Sequence, residues 1–304
     1  MKHALSLVAA LAAAFGSSLL TCAYAAALDT AAIEQATALK GTFSKEENVF
    51  KVSKPRGDVK IAVDGWGMPP FMGLTSWAAF TPAHDGQTMM MGDTVLLEDE
   101  VNPAMSAALD SGLEVTALHN HFLFDQPKVY FMHIAGMGDA AKLAAAVKKI
   151  YDKIAEVRAA QPQAQKAFSG ARIAASNAIS PQPLEKILAT KGQAKDGMFK
   201  IVIGRSAAMH GTAVAKEMGV NTWAAFAGTD DEAVVDGDFA MTEAQLQPVL
   251  KTMRHEGINI VAIHQHMTGE EPRILFLHYW GKGKAVDLAR ALKLALDAQA
   301  APAH

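Results

Sequence analysis

One stretch of this chain occurs twice, and that repetition constrains its fold more than any other feature. Leu118-His119-Asn120-His121, with His133 downstream, returns as Ile263-His264-Gln265-His266, with His278 downstream. Each histidine is displaced by the same 145 residues (264 − 119, 266 − 121 and 278 − 133). Without a gap, Gly92 to Asp152 lies over Gly237 to Asp297, with about 19 of 61 positions identical, among them Asp93/Asp238, Glu98/Glu243, Pro103/Pro248 and Gly112/Gly257. Upstream, Trp77-Ala78-Ala79-Phe80 reappears as Trp223-Ala224-Ala225-Phe226, and Phe50-Lys51-Val52 with Arg56 as Phe199-Lys200-Ile201 with Arg205. A unit of about 130 residues is too long for a solenoid repeat and has the size of a duplicated domain.

The N-terminus reads as an address. Lys2 and His3 precede an apolar run from Leu5 to Leu20 that closes on Ala23-Tyr24-Ala25, the small-x-small pattern of a secretory signal. The expected domains are a signal peptide over 1–25, a first repeat over 26–160, a linker over 161–183 and a second repeat over 184–304. Cleavage after Ala25 removes Cys22, the only cysteine, so stability must come from core burial. The expected location is the periplasm or cell exterior; lipid attachment through Cys22 is the alternative. A formal net charge of −3 with mixed signs argues against a nucleic-acid partner, and no span of membrane-crossing length follows the signal.

Each half reads as α+β, an antiparallel sheet with helices packed on one side, the two halves being related by a pseudo-twofold. Asp29 is expected to cap a helix running to Leu39, and Val59, Ile61 and Val63 alternate as a strand. A helix over Glu98 to Leu109 ends at Gly112, and its copy, capped by Thr242, ends at Gly257. Strands over Glu114 to Phe122 and Lys128 to Ile134 then form a hairpin. If it turns around Gln126, His133 lies opposite His119 and Phe131 opposite His121.

Alternate residues of a strand share a face, so the hairpin aims His119, His121 and His133 at a common point, and the second half does the same with His264, His266 and His278. Three adjacent imidazoles compete for few hydrogen-bond partners, and a divalent ion with nitrogen ligands at roughly 2.0–2.1 Å resolves that conflict. Zinc heads the expected metals, with copper, nickel or iron as alternatives. Asp93 and Asp238, each in a Gly-Asp pair, are the candidate catalytic carboxylates: fourth ligand, outer partner or general base. Arg56 and Arg205 are candidate anchors for an anionic ligand, against an ion-pair role, and Trp77 and Trp223 are candidate pocket walls, against a core role. The expected partners are a metal ion or a small molecule.

Pro55-Arg56, Gly73-Leu74-Thr75-Ser76-Trp77, Gly92-Asp93, Leu96 through Pro103, Thr116-Ala117-Leu118-His119-Asn120-His121 and Met132-His133 together resemble the LppY/LpqO family of exported bacterial proteins. The resemblance implies a domain of unknown function, often present twice, and an exported address, but no reaction. The second half departs at Gln265 and at Met209-His210-Gly211, which favours the first half if only one is active. The expectation is a metal-binding protein, as a metal-dependent hydrolase or lyase or as a non-catalytic binder of a metal or small anion. A purely structural pseudo-dimer is the third reading.

Overall fold

The computed structural model of the chain describes residues 28–300, so the expected signal, its cleavage site and Cys22 lie outside the described residues. The first half opens with α1 (Thr30–Thr37), where the Asp29 carboxylate accepts from the Ala32 N–H at 2.9 Å. The helix stops two residues before Leu39 because Ala38 turns left-handed at φ 55°. The strands β1 (Gly41–Ser44), β2 (Val49–Pro55), β3 (Thr75–Pro82) and β4 (Thr88–Leu97) follow, then α2 (Glu98–Asp110), β5 (Glu114–His119), β6 (Val129–Gly138) and α3 (Ala140–Ala160). The second half repeats the series with α4 (Pro181–Leu188), β7 (Gly192–Lys195), β8 (Met198–Gly204), β9 (Asn221–Gly228), β10 (Ala233–Thr242), α5 (Glu243–His255), β11 (Asn259–His264), β12 (Ile274–Gly283) and α6 (Ala285–Ala300).

All twelve strands join one antiparallel sheet in the order β1-β2-β3-β4-β6-β5-β11-β12-β10-β9-β8-β7. The two halves thus share a continuous sheet, and the helices line one face as α1-α3-α2-α5-α6-α4. Period-two alternation decides which side chains enter the core: Phe50, Val52, Ala78, Phe80, Met90, Leu96, Met132 and Leu118 face the helices and are buried. Lys51, Trp77, Asp93 and His133, the intervening residues, face the other side.

The join lies on a pseudo-twofold axis. Leu118 of β5 pairs with Ile263 of β11, its own counterpart, and on the helix layer His255 lies 2.9 Å from its counterpart Asp110. Because β5 and β11 overlap only briefly, the Val115 and Ile260 backbones need other partners. Gln247 donates to the Val115 carbonyl and accepts from its N–H, both at 3.0 Å, and Asn102 does the same for Ile260 at 3.1 and 2.8 Å. Asn102 and Gln247 are counterparts, so each half holds the other with one amide. Segment 161–180 ties the halves further: Gln165 N–H donates to Asp99 at 3.0 Å, and Ala178 N–H donates to the Gly228 carbonyl at 2.8 Å.

Two expectations change here. Of Val59, Ile61 and Val63, only Val63 is in a strand; Ala62–Val63 pairs with Trp66–Gly67 and Asp125–Gln126 in a small ribbon, while Ile61 packs in an apolar cluster with Leu74, Val95 and Phe131. The second half builds the same ribbon from Ala207–Met209, Thr212–Val214 and Glu270–Glu271, over Val220, Ala240 and Phe276. The histidine hairpin is also wider than expected. Its strands stop at His119 and restart at Val129, with the ribbon strand in between, and Ala117 rather than His119 lies opposite His133. A slip of two residues keeps every side chain on its predicted face, so the histidines still converge.

Candidate metal centre

On the helix-free face a row of side chains crosses neighbouring strands: Trp77 opposite Asp93, Asp93 opposite His133, and His133 opposite Ala117. The second half repeats it as Trp223, Asp238, His278 and Ala262. The Gly-Asp pairs have a steric reason. A Cβ at Gly92 would lie 2.8 Å from the Trp77 carbonyl, and one at Gly237 would lie 2.3 Å from the Trp223 carbonyl and 2.1 Å from the Tyr279 hydroxyl. Glycine lets the strand carrying the aspartate press against the strand carrying the tryptophan.

His121 and His266 sit just past the ends of β5 and β11 and are fixed by stacking instead of strand pairing. The His121 ring lies parallel to Phe131 with centroids 3.3 Å apart, and His266 lies over Phe276 at 3.5 Å. Each phenylalanine belongs to the apolar cluster under its ribbon, so the ribbon positions the histidine. In the first half the His119 ring is 5.0 Å from His121 and 5.2 Å from His133. In the second half His264 is 5.2 Å from His266 and 4.7 Å from His278.

The tighter donor set belongs to the second half. Among the described residues, Asp238, His264 and His266 present ligand atoms all within 4.8 Å of one another. The His266 Nδ1–H donates to the Gly219 carbonyl at 3.2 Å, which leaves a lone pair on Nε2, and Nε2 lies 3.2 Å from Asp238 Oδ2. His264 Nε2 is 3.9 Å from Asp238 Oδ1, and both atoms are buried without a hydrogen-bond partner. Acceptors thus face acceptors, an arrangement that needs a proton or a cation between them. Ligand atoms about 2.1 Å from one ion are at most about 4.2 Å apart, so side-chain shifts of under about 1 Å would close this set around a metal. His278 stands beside it with its Nδ1–H on the Gly237 carbonyl at 3.2 Å.

Burial pushes the Asp238 and Asp93 carboxyls above the usual carboxylate range, against the pull of the three imidazoles around each. It also pushes His264 and His121 below the ordinary imidazole value. Both shifts mark charges held away from water, and Asp93 Oδ1 is also without a partner.

The other expected site residues divide. Trp77 and Trp223 stand beside the carboxylates, whereas Arg56 and Arg205 are engaged elsewhere. Arg56, buried, donates to Glu100 at 2.7 and 3.0 Å, to Asp58 at 2.9 and 3.0 Å and to the Val95 carbonyl at 2.8 Å. Arg158 adds a second cation, on Asp99 and on Glu100. In the second half Gln245 replaces Glu100 and accepts from Arg205 at 3.1 Å.

Two lysines belong to the site that were not singled out by sequence. Lys51 Nζ lies 4.4 Å over the Trp77 ring and Lys200 Nζ 4.1 Å over Trp223. Their signal was present: each alternates with buried Phe and Val or Ile in a repeated block, which puts it on the tryptophan's face. Beside Asp238 and His266 the second half opens into a cavity of about 620 Å³, walled by Lys191, Lys200, Lys216, Asn221 and Trp223. The rim of the first half is apolar. Phe71, Leu123 and Phe124 are strongly exposed where the second half has Glu217, Thr268 and Gly269.

A model of the family described as "Domain of Unknown Function (DUF1259)" matches residues 31–153 and again 182–298. No curated protein matches. Among solved structures, the chain is similar to a trimeric bacterial microcompartment shell protein, PduB, at 11% identity and a TM-score of 0.22 over 85% of this chain and 89% of that one. It is also similar to the double ringed trimeric shell protein MSM0271 from the RMM microcompartment, at 12% identity and a TM-score of 0.19 over 73% of this chain and 85% of that one. Similarity at that level carries no argument about fold or function.

Proposed function

Because the chain belongs to the family described as Domain of Unknown Function (DUF1259), a description that assigns no reaction, we infer its function from the site and its address from the N-terminal pattern: it is an exported protein that binds a divalent transition metal through Asp238, His264 and His266. Asp93, His119, His121 and His133 form a second, looser centre on the same face. The clusters lie over β6 and β12, three interstrand spacings or roughly 14 Å apart, so they act as two centres and not as one dinuclear site. The observation that carries this reading is the buried pair Asp238 Oδ1 and His264 Nε2, 3.9 Å apart and each without a hydrogen-bond partner.

Two imidazoles and a carboxylate suit zinc, and equally the facial arrangement of non-haem iron. The neighbouring cavity gives a small molecule access to the open side of such an ion, which favours a metal-dependent hydrolase or lyase over simple capture. His278 is then placed to exchange a proton at that ligand, and Asp238 is a metal ligand more than a general base. The periplasmic address rests on the N-terminal pattern and on the resemblance to LppY/LpqO proteins. Among the described residues no helix is long and apolar enough to cross a membrane.

Elemental analysis of protein purified without chelator tests the reading. Wild type should carry at least one equivalent of metal, His264→Ala/His266→Ala should lose the tighter equivalent, and His119→Ala/His121→Ala should keep it. Wild-type protein that arrives empty and takes up no zinc, copper, nickel or iron at neutral pH refutes it. Stoichiometric metal with no turnover of any small ester, amide or phosphate leaves a binding protein.

A further inference from the structure

The cavity beside Asp238 and His266 has a charge that the metal reading does not use. Three lysines wall it, and their neutralisation differs. Lys191 is paired with Glu185 at 2.7 Å, and Lys216 is only loosely paired with Glu217 at 3.6 Å. Lys200 has no carboxylate within 4.0 Å among the described residues, and its ammonium is held over the Trp223 ring. That contact fixes the end of a side chain with four rotatable bonds on the cavity wall, two strands from Asp238, so less entropy is lost when it grips a ligand. Two carboxylates share the lining: Glu217, which is exposed and faces Lys216, and Asp238, whose charge a bound divalent ion would more than cancel.

We propose that the second-half cavity binds a small organic molecule through an oxyanion group, a carboxylate or phosphate, gripped by Lys200 and Lys216 on the open side of the metal. The inference rests on the metal reading above and adds the substrate class. A volume of about 620 Å³ exceeds the needs of a bare inorganic anion and leaves room for an organic body against Trp223 and Val202. The first half keeps the lysine over its tryptophan, and Lys40, paired with Glu34 at 2.6 Å, is the counterpart of Lys191, but Pro70 stands where the second half has Lys216, so the loosely paired second cation belongs to the second half. Asn221 and Gln193 supply neutral polar groups on the same wall.

The experiment uses whole protein loaded with cobalt(II), a visible stand-in for zinc, and titrates inorganic phosphate while following the metal's absorption and the heat of binding. Phosphate should perturb the cobalt spectrum of wild type. Lys200→Gln should weaken the response at least 10-fold and Lys216→Gln several-fold, both with unchanged metal content, whereas Lys149→Gln, exposed on the helix layer, should behave as wild type. Cobalt uptake without any phosphate response, or with Lys200→Gln and Lys216→Gln both matching wild type, overturns this inference and leaves the metal reading intact. Failure of wild type to take up cobalt overturns both.

Discussion

Replacing Asp238 by asparagine should make the metal-free protein more stable and the metal-bound protein impossible. The carboxylate is buried, and Oδ1 has no hydrogen-bond donor. An unsatisfied buried polar group costs about 1–3 kcal/mol, and a charged one more. The amide has the same shape, removes the charge and supplies an N–H facing the lone pairs of His264 and His266. At pH 8, Asp238→Asn should therefore gain about 1–3 kcal/mol. For a chain of this size, roughly 2 °C of melting temperature accompanies each kcal/mol, so the gain is about 2–6 °C.

The sign with pH follows from the raised carboxyl. The folded protein keeps that proton at pH values where the unfolded chain has lost it, so the wild-type contribution is present at low pH and is lost as pH rises through the folded value. The advantage of Asp238→Asn should thus grow with pH. Metal reverses the ranking: at 100 times its dissociation constant, a ligand bound only to folded protein adds about 2.7 kcal/mol, or roughly 5 °C, to wild type and nothing to the variant. Calorimetry with and without metal at pH 5.5 and 8 measures all four values. Metal-free Asp238→Asn melting below wild type at pH 8 would refute the reasoning.

Gln247→Ala removes both partners of the buried Val115 backbone and should cost about 2–4 kcal/mol by denaturant unfolding, as should Asn102→Ala at Ile260; a loss below about 0.5 kcal/mol in either would discount the clamps. Glu100→Gln leaves Arg56 to Asp58 and Arg158 to Asp99 and should cost about 1–3 kcal/mol, even though Gln245 occupies the matching site, because that site faces one arginine and not two. Gly237→Ala should cost about 1–3 kcal/mol and displace the Tyr279 hydroxyl, which donates to the Trp223 carbonyl at 3.0 Å, visible as a loss of cobalt affinity. Metal occupancy should fall with acid at a midpoint below about 6.5, since burial lowers His264 and so weakens proton competition; a midpoint above 7 would contradict that shift.

The duplicated histidines, their shared face and the layering of helices on one side were legible because period-two alternation and a constant offset survive sequence drift. The sheet register was not, since a turn assumed at Gln126 ignored the ribbon strand that Asp125–Gln126 makes with Ala62–Val63, a contact between residues over 60 apart. For the same reason the sequence favoured the first half, on the strength of its Asn120 and loop residues, whereas the compact donor set is in the second. What draws Asp238, His264 and His266 together is the Gly219 carbonyl and the Phe276 ring, neither of which belongs to the histidine motif. For Arg56 the sequence held two readings, anion anchor and ion pair, and could not name the partner because Glu100 and Arg158 are distant in sequence, although all three meet in space.

The matched pairs at the seam, Leu118 with Ile263 and Asp110 with His255, are the contacts that a residue makes with itself in an isologous dimer. A single-copy ancestor would have closed the same twelve-strand sheet by pairing two identical molecules, each lending an amide from position 102 to its mate. Fusion into one polypeptide freed the copies from having to remain identical. That freedom is what allowed one rim to become greasy and the other cationic without either losing its neighbour.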